Sequence, residues 1–153
     1  FSGQLANEVY LPEGGAIQMM TEDAPVIPPA ATLAERMTRG ERIYAGTCAA
    51  CHQAEGQGIP AVFPPVAGSD FLNGDRERAI AAVLFGLTGP ITVNGQQYNS
   101  VMPALGMGDE DVANVLTYVY SSWNNAGFEV TPQEVAAVRA AGPREASAVG
   151  VPH

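Results

Sequence analysis

Apolar positions recur at steps of three and four from residue 33 onward. Leu33, Met37, Gly40, Ile43, Tyr44 and Thr47 fall on one helical face. Thr32 precedes that run with Glu35 three residues on, the spacing of a capping box, so a helix is predicted to begin near Thr32 with this face buried. Gly40 inside it costs about 1 kcal/mol relative to Ala, which points to a close helix crossing there. A second helix is expected between Asp70 and Leu87, best seen over 75–86. Acidic residues stand at its start and Gly86 near its end, and Ile80, Val83, Leu84 and Leu87 form a core stripe. Residues 91–98 alternate around Asn94-Gly95, the strongest short hairpin signal. Asp109-Glu110-Asp111 then opens a helix carrying Val112, Val115, Leu116, Tyr118, Val119 and Trp123. Three carboxylates suit a helix N-terminus, and a metal site there is the weaker reading. Thr131-Pro132-Gln133-Glu134 combines an N-cap, a proline at N1 and a glutamate at N3, so a short helix follows.

Outside these elements the pattern fails. Residues 1–31 hold the turn signal Tyr10-Leu11-Pro12-Glu13-Gly14-Gly15 and the extended run Pro25-Val26-Ile27-Pro28-Pro29. They are either a floppy terminus or an ordered connector lying along a neighbouring domain, because Leu5, Val9, Tyr10, Leu11 and Ile17 are more apolar than a pure linker. The expected organisation is an extended linker or connector arm over 1–31, a helical domain over 32–125, and a short helix with a tail fraying past Ala141 over 126–153.

Charge narrows the partners. The net charge is −9, and all seven basic residues are arginine. That disfavours nucleic acid and anionic lipid surfaces, and it excludes docking through a ring of lysines. A partner with a basic or largely apolar face is expected instead. No run of about 18 apolar residues is present, so no membrane insertion is expected. The chain begins at Phe1, which fits either a removed targeting segment or a piece of a longer polypeptide.

The chemistry concentrates in Thr47-Cys48-Ala49-Ala50-Cys51-His52, which holds both cysteines of the chain. C-x-x-C-H is the spacing of covalent haem attachment. Two thiols on one helical turn each add to a vinyl group, and the adjacent imidazole reaches the iron as proximal ligand. A thioredoxin-like dithiol wants a βαβ setting, and structural zinc wants four ligands; the only other histidine is His153. The proline-rich segment Phe63-Pro64-Pro65-Val66-Ala67-Gly68-Ser69 either supplies a carbonyl to the second ring nitrogen of His52 or only shapes a loop. Met102, in a loop pinned by Pro103, is the candidate distal ligand. Its thioether suits haem iron, and loop context favours it over Met107, which stands just before a helix.

These motifs resemble the class I cytochrome c family. Gly40-x-x-x-Tyr44-x-x-x-Cys48-x-x-Cys51-His52, Pro64-Pro65-Val66-Ala67-Gly68, Val101-Met102-Pro103 and Leu116-Thr117-Tyr118-Val119 match it in order over residues 32–125. The resemblance implies an all-α fold of three to five helices around one haem c, with a small β-hairpin before the distal loop. It also implies a crossing of the first and last core helices at Gly40 and Tyr118. Cys48 and Cys51 would carry the haem, His52 and Met102 would ligate the iron, and the Pro64 carbonyl would receive the His52 ring N–H. Val66 stands where a leucine is commoner.

A narrower resemblance joins Phe63–Ser69, Gly89-Pro90-Ile91-Thr92-Val93-Asn94-Gly95, Tyr98-Asn99-Ser100-Val101-Met102-Pro103 and Ser121-Ser122-Trp123-Asn124-Asn125 to haem domains that feed larger redox enzymes. The chain is most similar to the C-terminal cytochrome domain of three-domain copper nitrite reductases. That implies an exported, periplasmic electron donor to a type 1 copper cupredoxin domain, in a parent protein reducing nitrite to nitric oxide. Phe1-Ser2-Gly3-Gln4 and Glu8-Val9-Tyr10-Leu11-Pro12-Glu13-Gly14 look like the end of the cupredoxin part and its linker. No copper-ligand set lies in these residues, so the chain itself is read as a non-catalytic carrier. Cytochrome subunits of alcohol dehydrogenases share much of the pattern, and service to such an enzyme or to an oxidase is the alternative. A peroxidase-like or ligand-binding haem is disfavoured, since no second acid/base histidine lies in the haem region. A third possibility is a docking module with residues 1–31 as its contact arm.

Overall fold

A computed structural model describes residues 28–143. The expectations for residues 1–27 and for the tail with His153 lie outside the described residues. Helix α1 (Leu33–Ile43) runs without a break through a π-helical turn (Tyr44–Cys48) into the single turn α2 (Ala49–His52). Then follow α3 (Asp70–Gly74), α4 (Arg76–Phe85), the strands β1 (Ile91–Val93) and β2 (Gln96–Tyr98), α5 (Asp109–Tyr120) and α6 (Pro132–Ala141). With 33–52 taken as one helix, the described residues form five helices and one hairpin, the class I cytochrome c fold.

Local chemistry accounts for most boundaries. Thr32 is extended, and its hydroxyl accepts the Glu35 N–H at 3.1 Å. The Glu35 carboxylate reaches back to the N–H of Ala31 at 2.6 Å, one residue earlier than a standard capping box. Asp75 is extended and caps α4 through the Arg78 N–H, which divides the 70–87 stretch into two helices. The short α3 is capped by Ser69. Asn94 and Gly95 have φ of 54° and 82°, the two positive values that a tight hairpin turn requires. Asp70 and Asn94 bind each other reciprocally, Asp70 N–H to Asn94 Oδ1 at 2.9 Å and Asn94 N–H to Asp70 Oδ1 at 2.8 Å, which fastens the hairpin to α3. Thr131 and Glu134 form the complete capping box of α6.

The core forms where α1 crosses α5. A Cβ on Gly40 would lie 2.7 Å from the backbone carbonyl carbon of Asn114 and 2.7 Å from Tyr118 Cβ, so only glycine permits this approach. Ile80, Val112, Val115 and Tyr120 are fully buried behind the crossing. Val130, Val135 and Val138 belong to the same cluster, so the chain beyond residue 125 completes this core. The buried hydroxyls of Tyr120 and Thr117 are matched. Tyr120 donates to the Leu72 carbonyl at 2.7 Å, and the Thr117 hydroxyl both donates to and accepts from Val130.

The first helix does not bury the whole expected face. Leu33 and Thr47 are exposed, and Arg36 is buried instead. The Arg36 guanidinium donates to Asn114 Oδ1 at 2.9 Å and Glu129 Oε2 at 3.3 Å, with a Glu110 oxygen at 3.7 Å. Glu110 also receives the Ala30 N–H at 2.8 Å, while Arg39 donates to the Pro28 carbonyl at 2.7 Å. The residues entering α1 are therefore fastened to the start of α5.

Candidate functional site

One cleft gathers the reactive side chains. Cys48 and His52 enter it from the end of the first helix, Pro64 from the following loop, and Met102 from the segment after the hairpin. With the open space at its mouth included, it measures about 720 Å³. Val66, Val83, Leu87 and Ile91 supply apolar walls. Cys51 is exposed and stands on an adjoining cleft that shares His52, Pro64 and Met102 with the first. Met107 is not on either wall and packs against the helical core.

Each group is held by identifiable interactions. The π-helical turn ends at Cys48, and such turns are frequent where a helix is adapted to a site. Tyr44, buried at its start, donates to the Gln53 carbonyl at 2.6 Å and thus closes the turn beyond His52. Burial pushes its phenol well above the ordinary range, so it remains a neutral donor. His52 Nδ1 lies 2.7 Å from the Pro64 carbonyl. A carbonyl only accepts, so Nδ1 carries the proton and Nε2 presents its lone pair. Burial lowers the ring's pKa against the opposing effect of the Pro64 contact, and the imidazole is neutral at pH 7. Of the two roles open to the proline-rich loop, the carbonyl contact is the one formed. Met102 is pinned by a two-way bridge, in which it and Leu87 exchange N–H···O=C bonds of 2.9 Å.

Cys48 and Cys51 carry the two thiols of the site. Both are free. Burial first, and Cys51 beside it second, push the Cys48 thiol up to about 11. A reactive redox pair needs the opposite shift. Metal binding through the acidic start of α5 also recedes. Asp109 pairs with Arg139 at 2.8 Å and Glu110 with Arg36 and Arg39. Among the described residues no group of three or more His, Cys, Asp or Glu could hold a metal ion.

A family model described as cytochrome c matches residues 37–123. The chain belongs to the cytochrome c family. It is 43% identical over 118 residues to a cytochrome c-552 of Thermus thermophilus, covering 71% of this chain and 79% of that protein. It is 36% identical over 105 residues to the gluconate 2-dehydrogenase cytochrome c subunit of Pantoea cypripedii, covering 65% of this chain and 24% of that subunit. It is 31% identical over 107 residues to the cytochrome c subunit of the quinone alcohol dehydrogenase of Gluconobacter oxydans, covering 67% of this chain and 22% of that subunit. The chain thus spans about a quarter of those two subunits.

Membership makes this a cytochrome with covalent haem c, an electron-transfer protein. The donor set fits that group: two free thiols in C-x-x-C spacing, an imidazole with Nε2 presented, and a thioether across an apolar cleft. Periodicity assigns Val83 and Leu87 to core packing, yet they line the cleft. Period-3.6 patterning carries no signal that distinguishes a wall facing a cofactor from one facing another helix. No helix of the described residues is long and apolar enough to cross a membrane.

Proposed function

We propose that this cytochrome is a one-electron carrier whose haem is attached through Cys48 and Cys51 and whose iron is held by His52 and Met102. The supporting observation is the convergence of Cys48, His52 and Met102 on one apolar cleft, with Nδ1 of His52 engaged by Pro64. When bound, haem c supplies a one-electron iron couple, and a His/Met pair raises its potential. The chain's own part is to hold both ligands with little reorganisation and to keep water from the cleft. The test is the near-infrared sulfur-to-iron band of the oxidised protein. Met102→Ala is expected to abolish the band, open the site to carbon monoxide, and lower the potential by about 0.1 V of the roughly 0.8 V that axial ligation spans. A wild type without the band that binds carbon monoxide freely would replace the carrier reading with a ligand-binding haem.

The finer reading is an exported, periplasmic domain that passes electrons to a type 1 copper centre of a copper nitrite reductase. It is supported by the four stretches between Phe63 and Asn125 that resemble the cytochrome domain of such enzymes. The two dehydrogenase-subunit relatives favour the alternative, service to a sugar or alcohol dehydrogenase. Reduction of an isolated type 1 copper domain against that of a dehydrogenase, compared by stopped flow, separates the two.

Either partner would meet an uncharged surface. Residues 56–69 and 79–108 contain no Asp, Glu, Lys or Arg. Ile59, Val62 and Val101 are exposed there, and Ser100 ties the two segments by donating to the Val62 carbonyl at 2.6 Å. Transfer is therefore expected to change less than about threefold between 0.01 and 1 M salt, where the Debye length falls from about 30 to 3 Å. A tenfold or larger fall would indicate charge-steered docking.

A further inference from the structure

Just beyond α5, Asn125 uses every hydrogen-bonding position of its amide. Nδ2 donates to the Val66 carbonyl at 3.0 Å and the Val119 carbonyl at 2.8 Å. Oδ1 accepts the Gly68 N–H at 2.8 Å and Nδ2 of Asn73 at 3.1 Å. Asn73 completes the square, donating also to the Ser69 carbonyl at 2.8 Å and accepting the Ala126 N–H at 2.9 Å. One side chain thus joins the end of α5, the loop after Pro65 and the helix α3.

The turn that delivers Asn125 is strained. Trp123 and Asn124 have φ of 53° and 63°. For a bulky L-residue the left-handed region costs about 1–2 kcal/mol, and such strain persists where the surroundings over-determine it. What it achieves is visible on the other side of the loop. The Trp123 ring is pressed against Gly56, where a Cβ would lie 2.9 Å from it, and stands 5.3 Å from the Tyr44 ring. The Gly56 carbonyl accepts the N–H groups of Val66 at 2.8 Å and Ala67 at 2.9 Å. Residues 66–68 are therefore gripped from both sides, by Gly56 and by Asn125. Pro64, two residues before Val66, is the acceptor of the His52 Nδ1–H.

We propose that Asn125 is a positioning residue for His52: by fixing Val66 and Gly68 it holds the Pro64 carbonyl, and with it the orientation and basicity of the imidazole. An acceptor that strengthens the ring as a donor favours the oxidised iron, so loosening that acceptor raises the potential. The inference rests on His52 as an iron ligand.

The experiment uses the full chain loaded with haem. Asn125→Leu keeps the branched side-chain shape and removes all four bonds. In the reduced protein, the His52 Nδ1 proton is expected to exchange with solvent at least tenfold faster by NMR. The reduction equilibrium is expected to shift about tenfold toward the ferrous form, 59 mV for one electron. Asn124→Ala strains the same turn and leaves the Asn125 amide in place, so it is expected to lower the melting temperature and move neither readout. If Asn125→Leu loses as much stability as Asn124→Ala with both readouts unchanged, Asn125 is only a structural clamp and the proposal fails. Should Asn125→Leu not fold, Asn73→Ala removes one of the four bonds and is expected to shift both readouts in the same direction by less; an unshifted Asn73→Ala overturns the proposal. A wild type lacking the His/Met spectrum fails the ligand assignment itself, before any variant is compared.

Discussion

Gly40→Ala is expected to lower the unfolding free energy by about 3 kcal/mol, the upper part of the usual overpacking range. Alanine is the better helix former by about 1 kcal/mol, so packing must outweigh propensity for the sign to come out this way. It does, because the new methyl would lie 2.7 Å from Tyr118 Cβ and closer still to the Asn114 carbonyl oxygen. Neither contact is the free end of a flexible side chain. Relief requires α1 and α5 to separate, and that opens the cluster containing Tyr44, Val115 and Leu116. Gly46, exposed in the π-helical turn with nothing within 4 Å of an added Cβ, is the internal control. Gly46→Ala is expected to be neutral or stabilising by up to about 1 kcal/mol. Thermal melts of both variants decide the matter, and a Gly40→Ala protein no less stable than Gly46→Ala would mean that backbone propensity, not the crossing, sets the outcome.

Gly58→Ala is expected to cost a similar amount and, unlike Gly40→Ala, to reach the iron. Gly58 has φ 67°, which an alanine adopts at a cost of about 1–2 kcal/mol. Its added Cβ would lie 2.8 Å from the carbonyl carbon and oxygen of Pro64 and also meet the Phe63 carbonyl. The Gly58 N–H is meanwhile bound to the His52 carbonyl at 2.9 Å, so the residue cannot retreat without pulling on the ligand. The Pro64 carbonyl must move, and the His52 Nδ1 bond with it. Gly68→Ala isolates the strain, since its φ is 62° and nothing lies within 4 Å of its Cβ. A loss of about 3 kcal/mol with an altered potential at Gly58, against about 1–2 kcal/mol at Gly68, is the expected pattern. An unaltered potential in Gly58→Ala would show that the loop accommodates the methyl without disturbing the ring.

The parts of this molecule legible in sequence are those written in local chemistry. Thr32, Thr131-Pro132 and Asn94-Gly95 each specify a cap or turn through a side chain and its own backbone, and each formed where expected. The crossing was legible because Gly40 has no cheaper explanation inside a helix. The first helix's buried face was only half legible. The π-helical turn at Tyr44–Cys48 adds a residue to one turn, so a stripe spaced for an α-helix no longer runs straight to Thr47. Arg36 was missed because its burial depends on Asn114 and Glu129, far along the chain. Asn125 was hidden for the same reason: its four partners lie in three separate segments, and nothing in Asn124-Asn125-Ala126 distinguishes a clamp from a turn.

The fastening of Pro28 and Ala30 to Arg39 and Glu110 also has a mechanical consequence. Thr32 stands about 24 Å from Cys48 along the continuous first helix, at 1.5 Å per residue. Pro28 and Ala30 are thus held at the end remote from the cleft. A pull entering at Pro28 is carried as shear between two stiff rods, α1 and α5, braced at Gly40. The ligand loops, fastened through Leu87, Gly56 and Asn125, stand at the other end of those rods.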